Sequence, residues 1–221
     1  MNILSLDTST NACSVALSQS GMITERHEVT PRQQSQNILA YVQDLLNEAD
    51  LMMSDIDLIA CGIGPGSFMG VRLAVSVAKG LAFAAGIRVM PYSSLYALAQ
   101  SACDIHSVSH CVAAWDARMG EIYCGEYQLH SQGIMVARGS DVLVSPAKLS
   151  LPGSSELVLV GNAWGQYSDQ LDVNFKHDYR VIDELYPRAR AAFSLMKNES
   201  WQSLSLAPGE LSPVYLRAAV T

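Results

Sequence analysis

The sequence predicts an α/β protein of two similar lobes, each a mixed β-sheet covered by helices. Three observations carry this reading. Residues 58–90 read as strand, glycine turn, helix and strand, a βαβ unit that puts a parallel pair at the centre of the first lobe. Two hairpins in a row come before it, so an antiparallel meander feeds the parallel strands. After residue 110 the opening pattern returns: a strand, a turn beginning with aspartate, and a returning strand.

Residues 3–6 form a first apolar strand, and Asp7-Thr8-Ser9-Thr10-Asn11 a polar turn. Residues 13–17 are the second strand. Ser18-Gln19-Ser20-Gly21 turns the chain into a third, over 22–29, which alternates apolar and polar side chains. Pro31 suits the start of a helix. In that helix Ile38, Tyr41, Val42, Leu45, Leu46 and Ala49 form one stripe opposite Gln43, Asp44 and Asn47. Residues 50–57 connect it to the βαβ unit. The run 58–63 is short and wholly apolar, as a strand covered on both faces should be. Gly62, Gly64 and Gly66 supply a bend, and Ser67 caps the next helix. Val71, Ala74, Val75, Ala78, Leu81, Ala82 and Ala85 recur at helical spacing, up to Gly86 at a left-handed C-cap. Residues 87–90 make the second parallel strand, closed by Pro91, and Ser93 or Ser94 caps a helix through Ala102.

The order β-β-β-α-β-α-β-α is the ribonuclease H-like layout. Residues 104–109 are a polar junction, so we draw a first lobe over 1–103 and a second, less regular one over 104–221. In the second, 111–115 and 121–129 are strands flanking the turn Asp116-Ala117-Arg118-Met119-Gly120, and 134–138 is a third. The recurrence points to a decayed duplication. Further on, 142–144 and 157–160 read as short strands, 146–149 as a helical turn, 164–171 and 186–197 as helices with Pro187 opening the latter, 208–213 as turns and 214–217 as extended. Two such halves make an actin-like (ASKHA) fold.

The 221 residues are 49% hydrophobic and 16% charged, with a net charge of −7, which marks a globular chain and excludes disorder. No basic face is visible, so any nucleic-acid role is indirect. Cys13, Cys61, Cys111 and Cys124 lie in or beside strands and Cys103 at the junction; an odd, scattered set with no C-x-x-C fits buried thiols in a reducing, cytoplasmic protein. The first seven residues meet an acid at once and do not read as a signal peptide. The most apolar stretch, 71–90, holds Arg72, Lys79 and Arg88 and reads as an interior helix and strand, not a membrane span.

Each familiar chemistry lacks a part. Gly64, Gly66 and Gly70 are spaced G-x-G-x-x-x-G, neither a Walker loop nor the dinucleotide fingerprint, so a tight structural turn is preferred to a phosphate site. ATP held between two lobes calls for an acid and hydroxyls on the first hairpin. Asp7, Thr8, Ser9 and Thr10 fit, with Asp116 as counterpart. The late glycine turn that should follow is only Gly161-Asn162-Ala163-Trp164-Gly165, with bulky Trp164 inside it. Asp7 and Asp116 are therefore read as bonding their own turns, while Asp7, Thr8, Gly64 and Gly66 stay as candidates for a ligand. A two-metal nuclease lacks its further carboxylates. His27, His106, His110, His130 and His177 have no metal-ligand spacing. Ser67 is not in G-x-S-x-G and is a cap.

Asp7-Thr8-Ser9-Thr10, the run from Gly62 to Arg72, Val77 to Leu81, Ser93-Ser94-Leu95, Asp116 to Glu121, Tyr186-Pro187-Arg188-Ala189 and Pro213 to Arg217 together resemble the TsaB (YeaZ) family nearly end to end. The resemblance implies an actin-like, non-catalytic subunit needed for N6-threonylcarbamoyladenosine at position 37 of ANN-decoding tRNAs. It implies as partners a TsaD-type catalytic paralogue, a TsaE-type ATPase and, when free, a second copy. It implies no cofactor or metal of this chain's own, ATP being used by the complex, and tRNA met only indirectly. The alternative is a stand-alone enzyme of the superfamily, an M22-type peptidase or nucleotide hydrolase. Met69 departs from the family's usual threonine, and the segment Gln33 to Ile38 lacks its frequent histidine. Such proteins associate through the two N-terminal-lobe helices. Gly70, Ala74 and Ala78 allow close approach there, and Tyr41, Leu45, Arg72, Val75 and Lys79 are candidates for the outer face.

Overall fold

The computed structural model describes residues 1–151, 153–154, 156–171, 179–197 and 201–217. The first sheet runs β3 (Met22–Val29), β2 (Ala12–Gln19), β1 (Asn2–Asp7), β4 (Leu58–Gly62), β5 (Arg88–Tyr92). β1 is antiparallel to β2 and parallel to β4, so Leu6 lies between Val15 and Cys61. The two-residue period of β1 divides its side chains between two cores. Leu4 and Leu6 face α1 (Gln34–Glu48) and α2 (Phe68–Ala85), meeting Ile38, Leu45, Val71 and Ala78. Ile3 faces the other way, towards Ala97 of α3 (Ser94–His106) and towards Ala189, Ala192 and Phe193.

The second sheet repeats the first. β6 (His110–Asp116) is antiparallel to β7 (Ile122–Leu129), which is antiparallel to β8 (Met135–Ala137). On its other side β6 is parallel to β10 (Val158–Val160), and β10 to β11 (Arg180–Ile182). Read from the meander edge, both sheets are antiparallel, antiparallel, parallel, parallel. β9 (Val142–Val144) adds to β7. One face is covered by α4 (Ala163–Gln166) and α5 (Ser168–Leu171), whose Trp164 and Leu171 meet Val112 and Leu159. The other face meets α3, through Leu95, Leu98 and Ala102. α3 therefore serves both sheets and is buried from Ser94 to Ala102.

Several expectations are corrected. α3 runs on to His106, with Gln100 donating to Asp104 at 2.9 Å and Ser107 as a left-handed C-cap. A boundary at 103/104 thus falls inside a helix. The chain after 186 returns to the first sheet: Arg188 bridges Glu25 at 2.7 Å, and the Ala189 N–H donates to Ser14 Oγ at 2.8 Å. Those tertiary bonds hold Arg188 extended, so the helix expected over 186–197 shrinks to a 3-10 turn, Ala189–Ala191, and α6 (Ala192–Leu195). The helix expected over 164–171 breaks at Tyr167, whose phenol is drawn to Asp116. Pro91 does not close its strand but lies within β5, an edge strand. The Val89 N–H points outward to the Leu206 carbonyl at 3.0 Å, so the nitrogen two residues on faces the same open edge and no ladder bond is lost. β11 and α7 (Trp201–Leu204) are additions.

Candidate functional site

The two aspartates end equivalent strands. Asp7, at the end of β1, is 2% exposed. Its carboxylate accepts from the Ser9 N–H at 2.8 Å, the Ser9 hydroxyl at 2.6 Å and the Ser94 hydroxyl at 3.2 Å. Burial pushes its carboxyl above the ordinary 3.8, and these bonds pull it back only in part. Asp116, at the end of β6, accepts from the Arg118 N–H and the Tyr167 phenol, both at 2.8 Å, and pairs with the Arg118 guanidinium at 3.3 Å. Both carboxylates are engaged by their own surroundings.

The glycine turn packs the start of α2 against the Asp7 hairpin. Gly64 turns the chain at φ +97°, where a side chain would be strained, and its carbonyl accepts from Ser94 N–H. Gly70 lies so close to the Thr8 carbonyl that a Cβ there would overlap it, while the Thr8 hydroxyl donates to the Gly70 carbonyl at 2.7 Å. Beside Gly66, the Ser67 N–H donates to the Ser9 carbonyl at 2.6 Å, and Ser67 Oγ accepts from Gly70 N–H at 3.4 Å. These donors serve the fold. Of the four ligand candidates, only Gly66 lines the cleft between the sheets.

That cleft has a volume of about 730 Å³. Phe68 and Arg72 of α2 form one wall, Trp115, Asp116 and Tyr123 the other. A C-terminal strap crosses it. The Val214 N–H donates to the Ile63 carbonyl at 2.8 Å, and Arg72 Nε donates to the Tyr215 hydroxyl at 2.7 Å while its guanidinium covers the Phe68 ring at 3.7 Å. On the far side Arg217 donates to the carbonyls of Ala117 and Arg118, both at 3.1 Å, and to Glu121 at 2.7 Å. Arg72 and Tyr215 lie 143 residues apart in the chain, and no local pattern joins them; the aromatic ring of Tyr215 in an extended stretch is the only signal.

The outer faces of α1 and α2 divide the docking candidates. Leu45, Ala74, Val75 and Ala78 belong to the core and cannot meet a partner. Lys79 is half-buried and donates to the carbonyls of Gly209 and Leu211, both at 3.1 Å. Tyr41 is half-buried, its phenol donating to Glu28 at 2.6 Å. Arg72 is exposed but turned to the cleft, and Gly70 is half-buried. The face α2 presents runs through Met69, Leu73, Ser76, Gly80 and Phe83, spaced 4-3-4-3 like a coiled-coil seam; Leu73 is half-buried against the core and the other four are exposed. Met69 is 71% exposed and Phe83 82%; Leu39 of α1, 54% exposed, lies on the neighbouring helix. By length and composition alone α2 could cross a membrane. Its inner face packs on the first sheet.

Among the described residues no group of three or more His, Cys, Asp and Glu could hold a metal. His110 bonds Glu126 at 2.9 Å, and His177 lies outside the described residues. Burial pushes the Cys13 thiol up to about 12 and Cys124 to about 11.

Two matching mixed sheets with a helix shared between them and a cleft across their strand ends define a two-lobed, ribonuclease H-like protein of the actin-like class. The chain's relatives agree. The family model described as TsaD, tRNA N6-adenosine threonylcarbamoyltransferase, matches residues 14–220. The chain is 36% identical to the tRNA threonylcarbamoyladenosine biosynthesis protein TsaB of Escherichia coli K12, over 98% of this chain and 95% of that one. It is 34% identical to TsaB of Haemophilus influenzae, over 100% and 95%. The solved structure of YeaZ from Pseudomonas aeruginosa superposes with a TM-score of 0.90 at 38% identity, covering 97% of this chain and 99% of that one. The chain belongs to the TsaB (YeaZ) family.

Proposed function

We propose that this chain is the non-catalytic docking subunit of the machinery that makes N6-threonylcarbamoyladenosine at position 37 of ANN-decoding tRNAs. Its TsaB-named relatives are tRNA threonylcarbamoyladenosine biosynthesis proteins, and a role in that biosynthesis is the part of the reading that membership carries. The finer assignment rests on one observation: the outward seam of α2 from Met69 to Phe83, with exposed Met69 and Phe83 at its two ends, beside a cleft whose Asp116 is engaged by Arg118 and Tyr167. Water-facing Met69 and Phe83, on one seam of 3.5-residue spacing with half-buried Leu73, call for a second helix. The occupant is a TsaD-type paralogue, which would present related helices to form a four-helix contact. In the free protein a second copy uses the same seam. The TsaE-type ATPase joins that assembly, ATP is consumed by the complex and not by this chain, and tRNA is held by the partner. The setting is the cytoplasm.

The test is reconstitution. With TsaD-type and TsaE-type subunits, ATP, tRNA and the threonylcarbamoyl donor, modified adenosine should form only when this chain is added. Unchanged modification without it overturns the proposal. The rival stand-alone enzyme would show turnover by the purified chain with ATP or peptide, lost in Asp7→Ala.

A further inference from the structure

A second cavity, of about 540 Å³, lies in the second lobe, away from both the cleft and the α2 seam. Tyr96, Ile134, Met135 and Leu195 make apolar walls, and His130 and Gln132 also line it. Its floor is a polar triad of Ser93, Tyr127 and Asp141. The Ser93 hydroxyl donates to Asp141 Oδ2 at 2.5 Å, and the Tyr127 phenol donates to Asp141 Oδ1 at 2.7 Å. Ser93 Oγ in turn accepts the first free N–H groups of α3, from Leu95 at 3.1 Å and Tyr96 at 3.3 Å. The carboxylate is therefore fixed in place at the positive end of a 13-residue helix. It is fixed from behind as well: a side chain at Gly125 would overlap Asp141 Oδ1.

The hydrogen-bond inventory decides what this floor can take. Both hydroxyl protons are spent on Asp141, so neither is free for a ligand. An ionised carboxylate has about four acceptor positions, and two are used here. Among the described residues Asp141 makes no ion pair. What remains is acceptor capacity and one negative charge under apolar walls. A neutral apolar guest would leave that capacity unmet, and an anion would be repelled. We propose that this cavity binds a small organic cation, a primary amine or guanidine on an apolar stem, with the charged head on Asp141 and the stem against Tyr96, Ile134 and Met135.

The test uses the full chain and four probes of similar size: hexylamine and butylguanidine as cations, hexanol as the neutral control, hexanoate as the anionic one. Titrations followed by amide chemical shifts should move the signals of Ser93, Leu95 and Asp141 saturably with the cations. Hexanol should bind at least tenfold more weakly, and hexanoate should move nothing. Asp141→Asn should weaken hexylamine at least tenfold and leave hexanol unchanged. Ala137→Trp fills the mouth from β8, where it stands opposite Tyr127, and should abolish both; the hexylamine–hexanol comparison in the wild-type chain decides the matter if Asp141→Asn unfolds. Equal affinity for amine and alcohol, an Asp141→Asn variant that binds hexylamine as before, or no saturable shift at millimolar probe would each overturn the proposal.

Discussion

Asp7 sits where an ionised carboxylate is costly, with three hydroxyl and amide donors to compensate. Its folded pKa is raised, so between 3.8 and the folded value the native state holds a proton that the unfolded chain has lost. Stability from this group is thus full below 3.8, falls as pH rises through that window, and is flat above it. Asp7→Asn keeps the shape, with its carbonyl accepting from Ser9 and its amide donating to Ser94, and removes the titration. The difference in melting free energy, wild type minus Asp7→Asn, should therefore decrease as pH climbs from 3.8 and then level off; a difference rising with pH would refute the burial argument. Gly70 makes the second residue-scale case. A methyl group there has the Thr8 carbonyl in its way, so Gly70→Ala should cost about 1–3 kcal/mol in urea unfolding despite alanine's better helix propensity. Sequence already directed Asp7 and Asp116 to their own turns, because a short acid before Thr or Ala in a hairpin finds backbone donors nearby. Asp141 offered no such clue, since its partners lie 14 and 48 residues away.

At the scale of elements, α2 shows what periodicity settles and what it leaves open. Cap, length and C-terminal glycine were all readable: Ser67 is the N-cap and Gly86 the left-handed C-cap. The outward face was not. Apolar residues occur on several faces of this helix, so a 3.6-residue pattern fits several phases, and Val75, a candidate for the outer face, is buried in the core. The correct phase gives a paired prediction. Phe83→Glu lies on the seam at 82% exposure; it should leave the melting curve within about 0.5 kcal/mol of wild type and abolish co-purification with the TsaD-type subunit. Ala78→Glu, about one and a half turns back, puts a charge into a site of 0% exposure and should cost at least about 3 kcal/mol, enough to lose the folded lobe. If Phe83→Glu bound the partner as well as wild type, the seam would not be the interface. The short elements of the second lobe failed for a different reason. Arg188 is held extended by Glu25 from 163 residues away, and no local pattern carries that information.

The whole molecule repeats one topology twice, and that much was visible because each half opens with the same strand, aspartate turn and strand. How the halves are joined was hidden, because two of the three joints are contacts between residues far apart in the chain. The first is α3, buried between the sheets. The second is the 185–195 segment, which packs on both cores and bonds β3 and β2 through Arg188 and Ala189. The third is the strap. Val214 and Tyr215 hold it to Ile63 and Arg72 of the first lobe, and Arg217 holds the 117–121 turn of the second. That turn needs holding: Arg118 and Met119 have φ of 64° and 58°, a left-handed region costing roughly 1–2 kcal/mol for each side-chain-bearing residue. A guanidinium reaches two carbonyls and a carboxylate at once, which a lysine ammonium on a flexible stem does with less preorganisation. Arg217→Ala should therefore cost about 1–3 kcal/mol, and Arg217→Lys should recover only part of it. The diagnostic readout is local. Amide exchange should quicken over residues 117–121 and at Val214, while β1 and β4, bonded within their own sheet, exchange as before. Uniform loss of protection would mean the strap only adds global stability; unchanged exchange at 117–121 would mean the turn holds its left-handed residues unaided, and that the two lobes are set by α3 and the 185–195 segment.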